Sequence, residues 1–169
     1  SVVLTAGRSD RAAAAAALRA PDHRRMLPWR AVLIDAPQRN ALADRFEAFA
    51  RAVGKPDDEV AAERERAYNG PVLVAWIVLL TDEVPEVPRH EQWMSAGGAL
   101  TNFLTALHLM GFGAKTLAGR KCTHPSVRDA FCEEGEQLAA FICIGTPTRA
   151  AQPRDVDDTG AALSRWNEA

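Results

Sequence analysis

The sequence predicts an α+β domain, a sheet packed between helices, and three observations carry that reading. Apolar side chains recur at helical spacing, most clearly at Leu42, Phe46, Phe49 and Val53, which lie four, three and four residues apart. Two short runs rich in branched apolar residues, 72–80 and 138–144, have the length of strands and are bounded by Gly and Pro. The predicted elements follow the order helix, strand, two helices, strand, long helix, strand, helix, strand, with no internal repeat and no linker. A chain of 169 residues suits one domain with a sizeable core. Residues 1–169 are read as that domain, with 148–169 as a C-terminal tail.

Each element has a local cause. Ser9 and Asp10 are good N-cap residues for a helix through the alanine run 12–18, and Pro21 stops it. Residues 29–35 have a β-branched, apolar centre and read as a strand. Pro37 suits the first position of the next helix, whose C-terminal end is marked by Gly54. A second, charged helix spans 56–68 and closes at Asn69-Gly70. The run 72–80 is apolar almost throughout, as expected of a strand buried on both faces. After a loop with Pro85 and Pro88, the longest helix signal covers 91–110. Its apolar residues spread over more than one stripe, which predicts core or a partner chain on several sides. Gly97 and Gly98 inside it predict a close backbone approach. A short strand near 114–117, a helix of about two turns over 126–132 and a strand over 138–144 complete the domain. The tail carries little core signal beyond Leu163 and Trp166.

Composition narrows the function classes. Hydrophobic residues make up 47% and charged residues 25%, the balance of a globular protein. A net charge of -2 gives no basic excess to attract nucleic acid or an anionic membrane. The longest apolar stretches, 71–80 and 96–100, are too short to cross a bilayer. Cys122, Cys132 and Cys143 are odd in number and form no C-x-x-C pair, so reduced thiols and a cytoplasmic location are expected, with Cys143 as core packing. The chain opens on Ser rather than Met and shows no secretory pattern, so upstream residues are expected to have been removed or left out. No His/Cys/Asp cluster has metal-ligand spacing. Gly111-Phe112-Gly113 lacks the third glycine of a Rossmann fingerprint.

Five segments, in order, resemble the small, single-domain branch of the nitroreductase family. They are Arg19-Ala20-Pro21-Asp22-His23 with Met26-Leu27-Pro28-Trp29-Arg30; Gly70-Pro71-Val72-Leu73-Val74; Val87-Pro88-Arg89-His90-Glu91-Gln92 running into Ser95-Ala96-Gly97; Gly111-Phe112-Gly113-Ala114; and Phe141-Ile142-Cys143-Ile144-Gly145-Thr146-Pro147. Each is short; the weight comes from all five in sequence. The resemblance implies a nitroreductase-like fold, with a central, mostly antiparallel sheet between helices, and a homodimer with two FMN sites at the subunit interface. It implies ping-pong chemistry, in which NAD(P)H, the co-substrate, reduces the flavin and a small-molecule acceptor, nitroaromatic or quinone-type, takes the electrons. No protein side chain is then needed as a catalytic group.

The resemblance also implies site residues. Arg19 and His23 match positions that reach the flavin from the partner subunit, supplying a cation and a donor near the electron-rich ring edge. Read alone, Arg19 is a cation at a helix end and His23 a turn residue. Ser1 matches the Ser of the family's Arg-Arg-Ser opening, which binds the flavin phosphate, ribityl chain and ring edge. After Gly-Phe-Gly the family branch has Trp-Arg-Ser/Thr-Gly, whose Arg serves the phosphate; here that run is Thr116-Leu117-Ala118-Gly119. Leu117 has no donor to offer, which leaves Lys115, Arg120 and Lys121 as substitutes; read alone, each is solvated surface charge. Glu91 and Gln92 match a family Glu-Gln pair, and a structural role at the helix N-terminus is expected for Glu91. Cys122 and His124 lack a third group to orient a thiolate pair. Beside the FMN-dependent oxidoreductase stands a second reading, a flavin-free family member that kept the dimeric scaffold as a binding or interaction protein. A third, flavin chemistry of another kind such as dehalogenation or flavin breakdown, is selected by none of these residues.

Overall fold

The apolar run that reads as a doubly buried strand forms the centre of the sheet. In a computed structural model, which describes residues 9–149, 152 and 162–166, strand β2 (Val72–Leu79) is buried at seven consecutive positions. It pairs antiparallel with β1 (Trp29–Ile34) on one side and with β4 (Glu136–Gly145) on the other. Strand β3 (Gly113–Leu117) pairs antiparallel with β4, giving the order β1-β2-β4-β3 among the described residues. A register shift between Trp76 and Ile77 interrupts the β2–β4 ladder, as a bulge does.

Alternation along β2 and β4 sends side chains to two helical layers. Toward one face, Val74, Trp76, Val78 and Ile142 meet α1 (Ser9–Ala17) and the long α4 (Arg89–Leu109). Ala13, Ala17, Ala96 and Ala99 are almost fully buried there. Trp29 stacks on Trp76 with ring centroids 4.5 Å apart. Toward the other face, Leu73, Ala75, Ile77 and Phe141 meet α2 (Arg39–Ala52), together with α5 (Arg120–Thr123) and α6 (Pro125–Arg128). Leu42, Phe46 and Phe49 of the apolar α2 stripe are buried in this layer, while Val53 is half-buried. Helix α3 (Asp57–Glu65) packs on α2 and turns through Arg66–Tyr68 into β2.

Three expectations change. The segment read as a helix over 126–132 holds only the single turn of α6, preceded by the single turn of α5. His124 lies between them in extended conformation and caps α6 by accepting from Ser126 N at 3.3 Å. Gly97 has nothing within 4 Å of a Cβ built on it, and at Gly98 the near neighbour is the Ala20 side chain at 3.6 Å, so no backbone approaches closely at either. Lys121 is buried, not solvated. Leu163 and Trp166 of the tail are exposed.

Candidate functional site

The chain between α1 and β1 is held in an unusual shape. Arg24, Arg25 and Leu27 all have positive φ, between 50° and 60°, which side chains rarely adopt. The Asp22 carboxylate holds this loop, accepting from Met26 N at 3.1 Å and from Leu27 N at 2.8 Å. Arg24 donates to Glu86 at 3.1 Å. The loop thereby brings His23 to the first turn of α4, where His23 Nδ1 lies 2.7 Å from Glu91 Oε2. Strain of this kind concentrates where a site needs it.

Beside that pair lies an open groove of about 580 Å³, lined by Pro21, His23, His90, Glu91, Met94, Ser95 and Gly98. Glu91, Ser95 and Gly98 succeed one another at helical spacing on α4. The Ser95 hydroxyl is buried and has no hydrogen-bond partner among the described residues. Arg19, in the turn after α1, is exposed and forms no ion pair among the described residues. Gln92 serves the scaffold: its amide donates to Thr81 O and Val87 O, each at 2.8 Å, and accepts from Thr81 N at 3.0 Å, fixing the loop before α4.

The residues near the end of β3 lie elsewhere. Lys115 and Leu117 stand in register with Cys143 and Phe141, on the α2 side of the sheet, and Thr116 stands in register with Ile142, on the α4 side. Leu117 packs half-buried against the α2-side core. Ala118 and Arg120 border a smaller cavity of about 240 Å³ with Phe49, Lys55, Glu63, Arg66 and Lys121. Glu63, 2% exposed, sits among three cations: Lys121 at 2.8 Å, Lys55 at 3.1 Å and Arg66 at 2.6 Å. Burial pushes its carboxyl up, but the hydrogen bond and charge of Lys121, with Lys55 and Arg66, outweigh this and hold it below the ordinary carboxylate value. Lys121 also lies over the Phe46 ring, 4.2 Å from its centroid. Lys121 is thus committed to Glu63, whereas Lys115 and Arg120 are exposed and unpaired among the described residues. Burial pushes the Cys122 thiol up to about 11, and His124 Nδ1 is engaged with Ser126 Oγ at 2.8 Å.

The Nitroreductase family model matches residues 11–146, which include both the groove and the β3 end. The chain belongs to the nitroreductase family. Putative NAD(P)H nitroreductase YdjA of Escherichia coli is 35% identical over 133 residues, covering 78% of this chain and 72% of that protein. A nitroreductase-like family protein from Bacillus cereus superposes with a TM-score of 0.77 at 15% identity, over 97% of this chain and 87% of that one. An FMN-dependent nitroreductase from Clostridium difficile gives 0.66 at 15% identity, over 99% and 91% of the two chains. At such identities the superpositions bear on the fold alone.

For this nitroreductase-family chain, the residues expected at a flavin form two separate groups. Arg19 belongs to the α1–α4 side, where His23 lines the groove. Lys115, Leu117, Ala118 and Arg120 belong to the α2 side, while Thr116 of the same strand faces the α4 side. Ser1 lies outside the described residues. Sequence reasoning passed over Asp22 and the Ser95 hydroxyl. A signal existed for each: Asp before a turn accepts hydrogen bonds from its own backbone a few residues on, and Ser95 follows Glu91 by one helical turn.

Proposed function

We propose that the chain is an FMN-dependent oxidoreductase that works as a homodimer, with NAD(P)H as co-substrate and a nitroaromatic or quinone-type acceptor. The observation that carries this reading is the groove on α4. There the His23–Glu91 pair, His90 and the Ser95 hydroxyl, which has no partner among the described residues, border a floor made by Pro21, Met94 and Gly98. A flat heteroaromatic ring with a polar edge requires that combination of apolar floor and few convergent polar groups. The cofactors named for the relatives, NAD(P)H for the Escherichia coli protein and FMN for the Clostridium difficile structure, support the same chemistry.

The residues present fit such a group in two parts. Arg19 and His23 would serve the ring edge; Lys115 and Arg120, with the Thr116 hydroxyl and the backbone of Ala118, would serve the phosphate, along with Ser1. Because Lys115 and Arg120 lie toward the α2 side of the sheet and Arg19 and His23 on the α4 side, with Thr116 at the β3 edge facing the α4 side, we take a site using both to draw them from two copies of the chain. When bound, FMN supplies hydride chemistry between NAD(P)H and the acceptor, one leaving before the other enters. The protein's part is to hold, orient and shield. Dimerisation has further support in Leu18, Met94, Leu109, Leu163 and Trp166, whose exposure runs from 60% to 83% in the single chain. We place the tail, 148–169, on the partner subunit for this reason. No helix among the described residues is long and apolar enough to cross a membrane, and three free thiols suit a reducing compartment such as the cytoplasm.

One observation favours the second reading, a flavin-free scaffold used for binding: Leu117 stands where the family branch carries its phosphate Arg, and packs against the core. The visible spectrum of the purified full-length protein, with FMN titration of the flavin-stripped form, separates the two. Flavin bands and FMN-dependent NAD(P)H oxidation are expected. A colourless protein that takes up no FMN moves the assignment to the scaffold reading.

A further inference from the structure

The His23–Glu91 hydrogen bond at the mouth of the groove joins residues 68 positions apart in the chain. Both members are substantially exposed, at 50% for the His23 side chain and 38% for Glu91. Pairs so exposed contribute little to stability. Yet the loop that brings His23 to Glu91 carries three positive-φ residues and is tied by two hydrogen bonds to Asp22. An arrangement that costs backbone strain and adds little stability calls for another use.

The chemistry of the contact supplies one. An ionised carboxylate only accepts, so His23 Nδ1 must carry the proton in the bond to Glu91 Oε2. Nε2 then remains as the ring nitrogen with no partner among the described residues, on a side chain that lines the groove. Of the neighbouring titratable side chains, His90 also lines the groove and Arg19 and Arg25 form no ion pair among the described residues, while three others are engaged. Arg24 is paired with Glu86, Arg89 with Asp82, and the Asp22 carboxylate with backbone amides.

We infer that Glu91 is a positioning residue: through Nδ1 it fixes the tautomer and orientation of His23, and so presents Nε2 to the groove's occupant. In a carboxylate–histidine pair the carboxylate decides which nitrogen faces the ligand. Resting on the flavin reading above, the occupant is the polar edge of FMN, and Glu91 acts on it only through His23. Asp22 holds the loop at the distance this requires.

Two readouts test the inference, one of them independent of flavin. In the flavin-free protein, ring ¹⁵N shifts of His23 report the tautomer. Nδ1–H is expected in the wild type and in Glu91→Gln, whose amide oxygen still accepts, but not in Glu91→Leu. In FMN titrations, Glu91→Leu is expected to weaken binding about tenfold, the lower range for loss of an orienting partner. Glu91→Gln should stay near wild type, and Glu91→Leu should cost nothing further in a His23→Ala background. Melting of Glu91→Leu should shift by less than about 2 °C, as for a surface substitution. An unchanged tautomer in Glu91→Leu, or the same loss of FMN affinity with and without His23, overturns the inference. A wild type that binds no FMN overturns the flavin reading instead, and the tautomer still decides whether Glu91 orients His23.

Discussion

The two faces of the sheet handle their polar groups in opposite ways. Between α2, α3 and α5 the buried charges are matched internally. Buried Glu63 takes Lys55, Arg66 and Lys121, and Arg64 bridges Asp44 and Glu47. On the α1–α4 face an exposed His–Glu pair and a Ser95 hydroxyl with no partner among the described residues line an open groove, and Arg19 nearby in the chain forms no ion pair among those residues. Polar groups that are satisfied within the fold serve stability; those left unsatisfied at an apolar surface await a ligand or another chain. The same contrast separates the substitutions that should harm folding from those that should harm function.

The largest effect is expected at Glu63. Glu63→Ala leaves Lys121, with a side chain only 8% exposed, without its carboxylate. Breaking a buried pair from one side costs about 3 kcal/mol or more, or roughly 6–12 °C in melting temperature for a chain of this size. Adding Lys121→Met should recover much of the loss, because replacing both partners removes the stranded charge. Calorimetry of the two variants checks this, and a double variant no more stable than Glu63→Ala would show that the pair is not the unit.

Acid makes the same comparison by neutralising the Glu63 carboxylate in place rather than deleting it. Glu63 titrates below its ordinary value in the folded chain, so its contribution is fully present above the unfolded-state value. It is lost as pH falls through the lower folded value. Between about pH 5 and pH 3, wild type should therefore lose more melting temperature than Glu63→Gln. Parallel curves would mean that other depressed carboxylates, such as Glu47 and Glu136, account for the acid sensitivity.

On the other face the expected pattern reverses. Arg19→Ala and His23→Ala should each weaken FMN binding or turnover by about tenfold, the scale of one charge-assisted hydrogen bond. Melting should move by less than about 2 °C. Wild-type FMN affinity and NAD(P)H oxidation in both variants would remove this corner from the site.

Legibility in the sequence follows the same division. What repeats locally could be read: the α2 stripe, the doubly buried β2 and the long α4 each announce themselves by periodicity or run length. The order of the sheet and the polar pairings could not, because they join distant positions. Lys121 reads as surface charge until Glu63, 58 residues away, is placed beside it, and Glu91 reads as a helix-end acid until His23 arrives. The broken helix near 126 has a local cause that was legible: Pro125 restricts His124 to extended backbone, which separates α5 from α6. The five family segments supplied the function, which periodicity alone did not.

Leu117 sits on the boundary between the two kinds of region. It belongs to the α2-side core by packing, and the resemblance of its segment to the family branch implies the phosphate position for it. Leu117→Arg should therefore do two things at once. Removing half-buried methyl groups should cost stability, on the order of 1 kcal/mol, since the site is an edge strand and the longer side chain can extend to solvent. The guanidinium would then emerge on the face of β3 that carries Lys115, two residues away, in register with Cys143. A dianionic phosphate held there gains a charge-assisted, potentially bidentate contact worth about 1.5–3 kcal/mol, or roughly ten- to a hundredfold in dissociation constant. Thermal melting and FMN titration of the one variant read both effects. Tighter FMN with a small loss in melting temperature marks an eroded phosphate site. Unchanged FMN affinity with a large loss marks a core leucine, and leaves Lys115 and Arg120 as the phosphate ligands, each then testable by its own alanine variant.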